Sequence, residues 1–395
     1  MNFRNYERME ININPGMLFI QGANGEGKSN LLEALYLLAI TKSYRAKNDR
    51  ELVRLGSIAP YSFTQISAIV QKNESQSDIK ISLSSNQDEV EFGRSNSTKT
   101  SSTIINHSDP KYSVKKSVSI NGIIQPISKL IGEVNAVIFS AQDLNIVYGS
   151  PIVRRRFIDI LISQIDSKYL SSLQKYQQII SQRNHLLKDL RRSGSGSKSD
   201  RIEFWNEELV KTGSYIMACR SETIKKISRT SNQIHTDLTS EPESINLIYR
   251  PSIKTNLDAP LNQLTEAVKK EIESNYQSDI SQGFTAYGPH RDDLQIMIKN
   301  IDAGKYASRG QCRTIVLSMK LAEANYLMDY SKQEPILLLD DILSELDSTR
   351  RNKILKKATE YQQCFITSTD LDSKHQNTDG NLTLLKLENG NLKPI

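Results

Sequence analysis

Gly22-Ala23-Asn24-Gly25-Glu26-Gly27-Lys28-Ser29 decides the fold of this 395-residue chain. The octet fits G-x-x-x-x-G-K-[ST] at Gly22, Gly27, Lys28 and Ser29, and each residue type there has a chemical reason. Glycines let successive backbone N–H groups turn toward phosphate oxygens, the lysine adds a mobile cation, and the serine offers a hydroxyl to Mg2+. Ahead of the octet, residues 17–20 form an apolar run of strand character. Behind Lys28, Leu31, Leu35 and Leu38 recur at helical spacing, and Leu32 and Ala39 widen the same face. Strand, loop and helix in that order predict a site for nucleotide phosphates, with Ala23, Asn24, Gly25, Glu26 and Asn30 as further contacts.

The other half of such a site is a carboxylate at the end of a buried strand, supplied by Leu337-Leu338-Leu339-Asp340-Asp341. Asp340 is expected to hold Mg2+ with Ser29, and Asp341 to orient or activate the attacking water. Ser308, Arg309, Gly310 and Gln311 stand at the start of a helical pattern containing Ile315, Met319 and Ala322. A hydroxyl, backbone N–H groups and the positive end of a helix dipole there make a second phosphate-binding element. In this architecture the two elements lie on opposite sides of one face, so two chains facing head to tail are expected to complete each nucleotide site. Ser344-Glu345-Leu346-Asp347 follows the acids, and Asp347 joins the candidate nucleotide contacts.

Outward from these motifs, alternating segments such as 78–85 and 88–94 predict antiparallel strands between residues 62 and 119, and the Ser/Thr/Asn-rich stretch 94–110 reads as a loop. Phe157, Leu161, Ile165, Tyr169, Leu173 and Tyr176 predict one long helix over 151–191. RRSGSGSKSD (191–200) breaks it, and a second helix runs from 201 to about 238, giving a short antiparallel arm. The final third alternates helix and strand and ends in a hairpin at Asn389-Gly390. The expected fold class is α/β, with a mixed sheet, flanking helices, an antiparallel β subdomain and an inserted α-helical arm lobe. Residues 1–150 and 241–395 are the two parts of one head, and 151–240 are the arm.

A hydrophobic fraction of 37% and a charged fraction of 24% are those of a globular protein. No run approaches the roughly 20 apolar residues of a spanning helix, and the first residues carry no apolar signal core, so a cytoplasmic location without membrane insertion is expected. Cys219, Cys312 and Cys364 have no partner at metal-ligand spacing and read as reduced thiols. A net charge of +6 tilts mildly toward a polyanionic partner. The adjacent Arg154, Arg155 and Arg156 point in different directions on a helix and cannot all meet one DNA backbone. The pairs Lys225–Lys226, Arg191–Arg192 and Lys269–Lys270 read first as solvated faces.

GANGEGKSN (22–30), SRGQ (308–311), LLLDD (337–341) and SELD (344–347) resemble the ABC ATPase heads shared by SMC-like proteins. NFRNY (2–6), GSPIVRRRFID (149–159), QRNHLL (182–187), GPHRDDL (288–294) and FITSTD (365–370) resemble the RecF family in particular, over nearly the whole chain. The family usually carries one more strand before NFRNY and lacks the Ser/Thr-rich insertion. The resemblance implies an ATP-dependent homodimer with Mg2+ that clamps single-stranded or gapped DNA without sequence preference. It also implies weak DNA-dependent hydrolysis that releases the DNA, partners RecO and RecR, recombinase loading and a link to the SOS response. By position, Gln142 in FSAQDLNIV (139–147) is implied to touch Mg2+ or the attacking water, and Asp370 or Thr369 to sense the γ-phosphate. His290 and Arg291 read as packing residues. The alternative is an SMC-like ABC ATPase of another DNA-processing system. A transporter subunit would keep its signature nearer the loop, and an SMC-like nuclease would need a second acidic cluster.

Overall fold

The computed structural model describes residues 1–54, 63–72, 75–87, 112–193, 200–239, 243–369 and 382–395. β1 (Gly16–Gln21) runs into α1 (Lys28–Ile40), after which β2 (Phe63–Lys72), β3 (Ser75–Gln87), β4 (Tyr112–Ile120) and β5 (Ile123–Gln125) build an antiparallel sheet. β6 (Ala136–Phe139) and the short α2 (Asn145–Tyr148) lead to α3 (Pro151–Ser163), α4 (Ser167–Ser193) and α5 (Asp200–Leu238). Next come β7 (Ile245–Arg250), α6 (Leu261–Ser274), α7 (Tyr276–Gln282), β8 (Asp293–Ile298), β9 (Ile301–Asp302), α8 (Ala303–Tyr306) and α9 (Arg309–Ser331). β10 (Ile336–Asp340), α10 (Ser348–Ala358), β11 (Gln363–Ser368), β12 (Leu382–Glu388) and β13 (Asn391–Pro394) complete the chain.

The main sheet has the order β13-β12-β1-β11-β10-β6, so the first strand lies between strands from the last fifty residues or so. β1, β6, β10, β11 and β12 run parallel, with Ile20 opposite Thr367 and Thr367 opposite Asp340. This register brings the carboxyl ends of β1, β10 and β11 to one edge, where ligands of α/β sheets bind. Burial on both faces explains the continuous apolar runs. Phe19, Val137, Phe139, Leu337 and Leu339 join the α9 side of the core, while Leu18, Ile20, Ile138, Leu338 and Phe365 join the α1 side. The fold is the α/β, ABC-type head expected from the motifs.

The arm helices are antiparallel: Tyr169 of α4 meets Arg220 of α5, while Arg183, further along α4, meets Asn206, further back on α5. One expectation is corrected. The single helix over 151–191 is two, α3 and α4, although the apolar spacing continues across the break. Asp166 Oδ1 accepts from the backbone N–H groups of Lys168 and Tyr169 at 2.8 and 2.9 Å, an Asx-type N-terminal cap that restarts the helix. Gln164, in the break, accepts from the Ala136 N–H through its side chain and ties the corner to β6. The expected strand at 88–94, the loop at 94–110, the arm tip at 194–199 and Asp370 lie outside the described residues. No described helix is long and apolar enough to cross a membrane.

Candidate functional site

The glycine loop is held from both sides. Gly22 lies so close to β12 that a Cβ there would sit 2.8 Å from the Leu387 carbonyl oxygen. Gly27, at φ +108°, would drive a Cβ to 2.5–2.9 Å from Asn5 and the Tyr6 hydroxyl, so both the backbone angle and the space demand glycine. The N-terminal NFRNY stretch supports the loop from beneath. Asn5 donates to the Glu26 carbonyl at 2.9 Å, Tyr6 donates to the Gly27 carbonyl at 2.8 Å, and Asn30 donates to Asn5 at 2.6 Å. Arg4 forms a two-pronged pair with the buried Glu33 of α1, at 2.8 and 2.7 Å, and Arg45 donates to the same carboxylate at 2.8 Å. Glu26 accepts from the Asn389 N–H, which ties the loop to the C-terminal hairpin.

Lys28 Nζ donates to the carbonyls of Gly22 and Ala23 at 2.6 and 3.0 Å. Burial lowers its pKa, and the fields of Asp341, Asp340 and Glu26 oppose that shift. Ser29 Oγ donates to Asp340 Oδ1 at 2.7 Å, and Tyr44 donates to Asp340 Oδ2 at 2.8 Å. Thr367 of β11 also donates to Asp340, at 3.1 Å, while its oxygen accepts from the Asp341 N–H at 3.1 Å. Asp341 sits just past β10 at φ +54°, a left-handed conformation that Asp tolerates better than most residues. Burial, reinforced by Asp340, raises the Tyr44 pKa, so this phenol remains a neutral donor.

Gln142 is exposed on a turn, 141–144, that follows β6. Its neighbours Ser140, Ala141 and Leu144 face Asp340 and Asp341 across a cavity lined also by Val316 and Leu317 of α9. Ser308 caps α9: its Oγ accepts from the Gln311 N–H at 3.2 Å, and the Gln311 side chain accepts from the Ser308 N–H at 2.9 Å. Ser308 and Arg309 are exposed, Gly310 and Gln311 half-buried. Asp347 caps α10 by accepting from the Arg350 N–H at 3.0 Å. The structure therefore gathers Gly22 through Asn30 with Asp340 and Asp341. Among the described residues, no hydrogen bond joins Ser308, Arg309, Gly310, Gln311 or Asp347 to the loop.

Tyr44, Arg45, Thr367 and the loop-bracing roles of Arg4, Asn5 and Tyr6 were not readable as site features, because each acts across a long sequence separation. The adjacent arginines do point apart. Arg154 forms a two-pronged pair with Asp293, Arg155 donates to the Asp292 carbonyl and Arg156 to the Ser43 carbonyl. His290 bonds Tyr176 and the Thr285 carbonyl, and Arg291 lies over the Phe284 ring, as packing residues do.

A glycine loop between a central strand and its helix, closed by a carboxylate on the next strand but one and accompanied by a separately capped signature helix, defines an ATPase head of the ABC and SMC class. The family model described as RecF/RecN/SMC N terminal domain matches residues 1–392. The chain belongs to this family and, within it, to the RecF family of DNA replication and repair proteins. It is 35% identical over 375 residues to the DNA replication and repair protein RecF of Lactobacillus johnsonii, covering 94% of this chain and 91% of that one. It is 34% identical over 390 residues to the RecF of Bacillus thuringiensis, covering 98% and 95%. A solved structure of the recombination mediator protein RecF with ATP in the RecFOR pathway superposes with a TM-score of 0.83 at 29% identity, covering 100% of this chain and 95% of that one.

Proposed function

We propose that the protein is an ATP-driven DNA clamp of recombinational repair, in which two chains close head to tail over two ATP molecules. The observation that carries this reading is the separation of the two anion-binding elements. The loop with Lys28 is complete on one side, while Ser308 stands exposed at the start of α9 with no described bond to it. In a dimer, Ser308, Arg309, Gly310, Gln311 and Asp347 of one chain face the nucleotide held by Gly22 through Asn30 of the other.

Ser29 Oγ and Asp340 Oδ1, 2.7 Å apart, are the hard oxygen donors that suit Mg2+. Ser29 and Asp340 would hold Mg2+ together with phosphate oxygens of the bound nucleotide. Bound Mg2+ supplies charge neutralisation on the phosphoryl group being transferred. Lys28 exchanges the Gly22 and Ala23 carbonyls for β- and γ-phosphate oxygens. Asp341 orients the attacking water with Gln142 near it, and either Asp370 or Thr369, the latter half-buried just past β11, reads the γ-phosphate. A charge-assisted hydrogen bond nets about 1.5–3 kcal/mol. A few contacts that ATP makes and ADP lacks therefore shift dimer affinity by roughly 10² to 10⁴.

Hydrolysis acts as a slow timer stimulated by DNA. The DNA is single-stranded or gapped and held through its backbone, in keeping with a net charge of +6 spread over the chain. RecO and RecR are the expected partners, in the cytoplasm. The test is Ser308→Arg: ATP binding should persist while ATP-dependent dimerisation is lost. An equal collapse of ATP affinity would refute the shared site.

A further inference from the structure

Gln311, in the first turn of α9, spends both ends of its side-chain amide within its own chain. Its Oε1 accepts from the Ser308 N–H at 2.9 Å, completing the capping box, and its Nε2 donates to Glu243 Oε1 at 3.1 Å. Glu243 lies just ahead of β7, 68 positions away in sequence, and the nucleotide chemistry does not use it.

The small three-stranded sheet delivers this carboxylate. β7 and β8 pair antiparallel with Ile245 opposite Ile298, and the Lys299 N–H donates to the Ser244 carbonyl at 2.9 Å. That pairing sets Lys299 Nζ 2.9 Å from Glu243 Oε1. His235, buried near the end of α5, brings Nε2 to 3.9 Å from Glu243 Oε2, while its Nδ1 lies 3.3 Å from Ser318 Oγ on α9. The hydrogen bond from Lys299, with that from Gln311 and against the opposing effect of burial, holds the Glu243 pKa below the usual carboxylate value. The group is therefore ionised at neutral pH and accepts only.

An amide has one donor end and one acceptor end of nearly the same shape. Beside an acceptor-only carboxylate the NH2 must face Glu243, which leaves the oxygen for the Ser308 N–H. The opposite orientation would set two oxygens together at Glu243 and two N–H groups together at Ser308, a loss at both ends. Glu243 thus selects the orientation in which the cap exists. The cap in turn fixes how the chain enters α9 at Ser308.

We propose that Glu243 is a positioning residue for the second phosphate-binding element, holding Gln311 in the one orientation that caps Ser308 and so presenting Ser308 to the nucleotide of a second chain. This rests on the clamp reading of the preceding subsection.

The test uses the full-length chain and reads three quantities: binding of a fluorescent ATP analogue, ATP-dependent dimerisation by sedimentation, and hydrogen exchange at Ser308 and across β7 by mass spectrometry. Glu243→Gln keeps size and shape but donates as well as accepts, so it no longer dictates the amide orientation. It should bind the analogue as the parent does, exchange faster at Ser308 with β7 unchanged, and dimerise about fivefold more weakly, the loss expected for one capping contact. Glu243→Ala, which makes no new contact, should behave in the same way. Lys299→Gln removes the ion pair but leaves the carboxylate, and should match the parent in all three. Unchanged dimerisation in both Glu243 variants, an equal loss in Lys299→Gln, or a parallel loss of analogue binding would overturn the positioning role. A parent chain that stays monomeric at saturating ATP would overturn the clamp reading itself, and the proposal with it.

Discussion

Ser29 Oγ donates to Asp340 Oδ1 at 2.7 Å, a contact between residues 311 positions apart in sequence. The parallel sheet makes it possible by setting the carboxyl ends of β1, β11 and β10 side by side. Asp340 accepts from Tyr44 and Thr367 as well, so its carboxylate is aimed before any cation arrives. Asp340→Asn preserves an acceptor but halves the pair of hard oxygens. The fold should persist, and the Mg2+ concentration needed for ATP hydrolysis should rise at least about tenfold, the loss expected for one charge-assisted contact. A Mg2+ titration of hydrolysis that matches the parent would remove Asp340 from the metal site.

Lys28 rests on two carbonyls of its own loop and gives them up for phosphate. Lys28→Ala should lower ATP affinity by roughly 10²-fold or more, since contacts of this kind are worth about 1.5–3 kcal/mol each. Circular dichroism should show an intact chain, and equilibrium binding decides the matter: retained affinity would mean that the backbone cradle alone holds the nucleotide.

His290 makes a pH-dependent contribution to stability. Its Nε2 lies 3.1 Å from the Thr285 carbonyl and must donate, so Nδ1 accepts from the Tyr176 hydroxyl at 2.9 Å. Burial, outweighing the carbonyl bond, lowers its pKa from 6.5 to about 4. The unfolded chain therefore binds the extra proton between those values. This contribution is present in full above pH 6.5 and is lost as the pH falls toward 4, amounting to ~3 kcal/mol at 1.36 kcal/mol per unit. Urea unfolding of His290→Gln should depend less on pH across that interval. An unchanged slope would assign the proton uptake to other groups.

The strand, loop and helix around Lys28 were legible because the sheet's period and the phosphate chemistry are both written locally. The second helix boundary at Asp166 was not, since the apolar spacing from Phe157 to Tyr176 runs straight through it and only the short-range cap interrupts the backbone. Likewise the acids at 340 and 341 announced themselves, but Tyr44, which aims Asp340 from 296 positions away, carries no pattern of its own. The brace of Arg4 on Glu33 is invisible for the same reason: long-range partners are chosen by topology, and one sequence records no pairing. Adjacency is readable where helix geometry governs it: Arg154, Arg155 and Arg156 point apart, as neighbours on a helix must, and each is engaged by a separate acceptor.

The claim that ATP joins two chains is tested most directly by sedimentation of Asp341→Asn, which should bind ATP without hydrolysing it. With ATP the variant should run as a dimer, and with ADP or no nucleotide as a monomer. A chain that remains monomeric with ATP demonstrably bound would contradict the account.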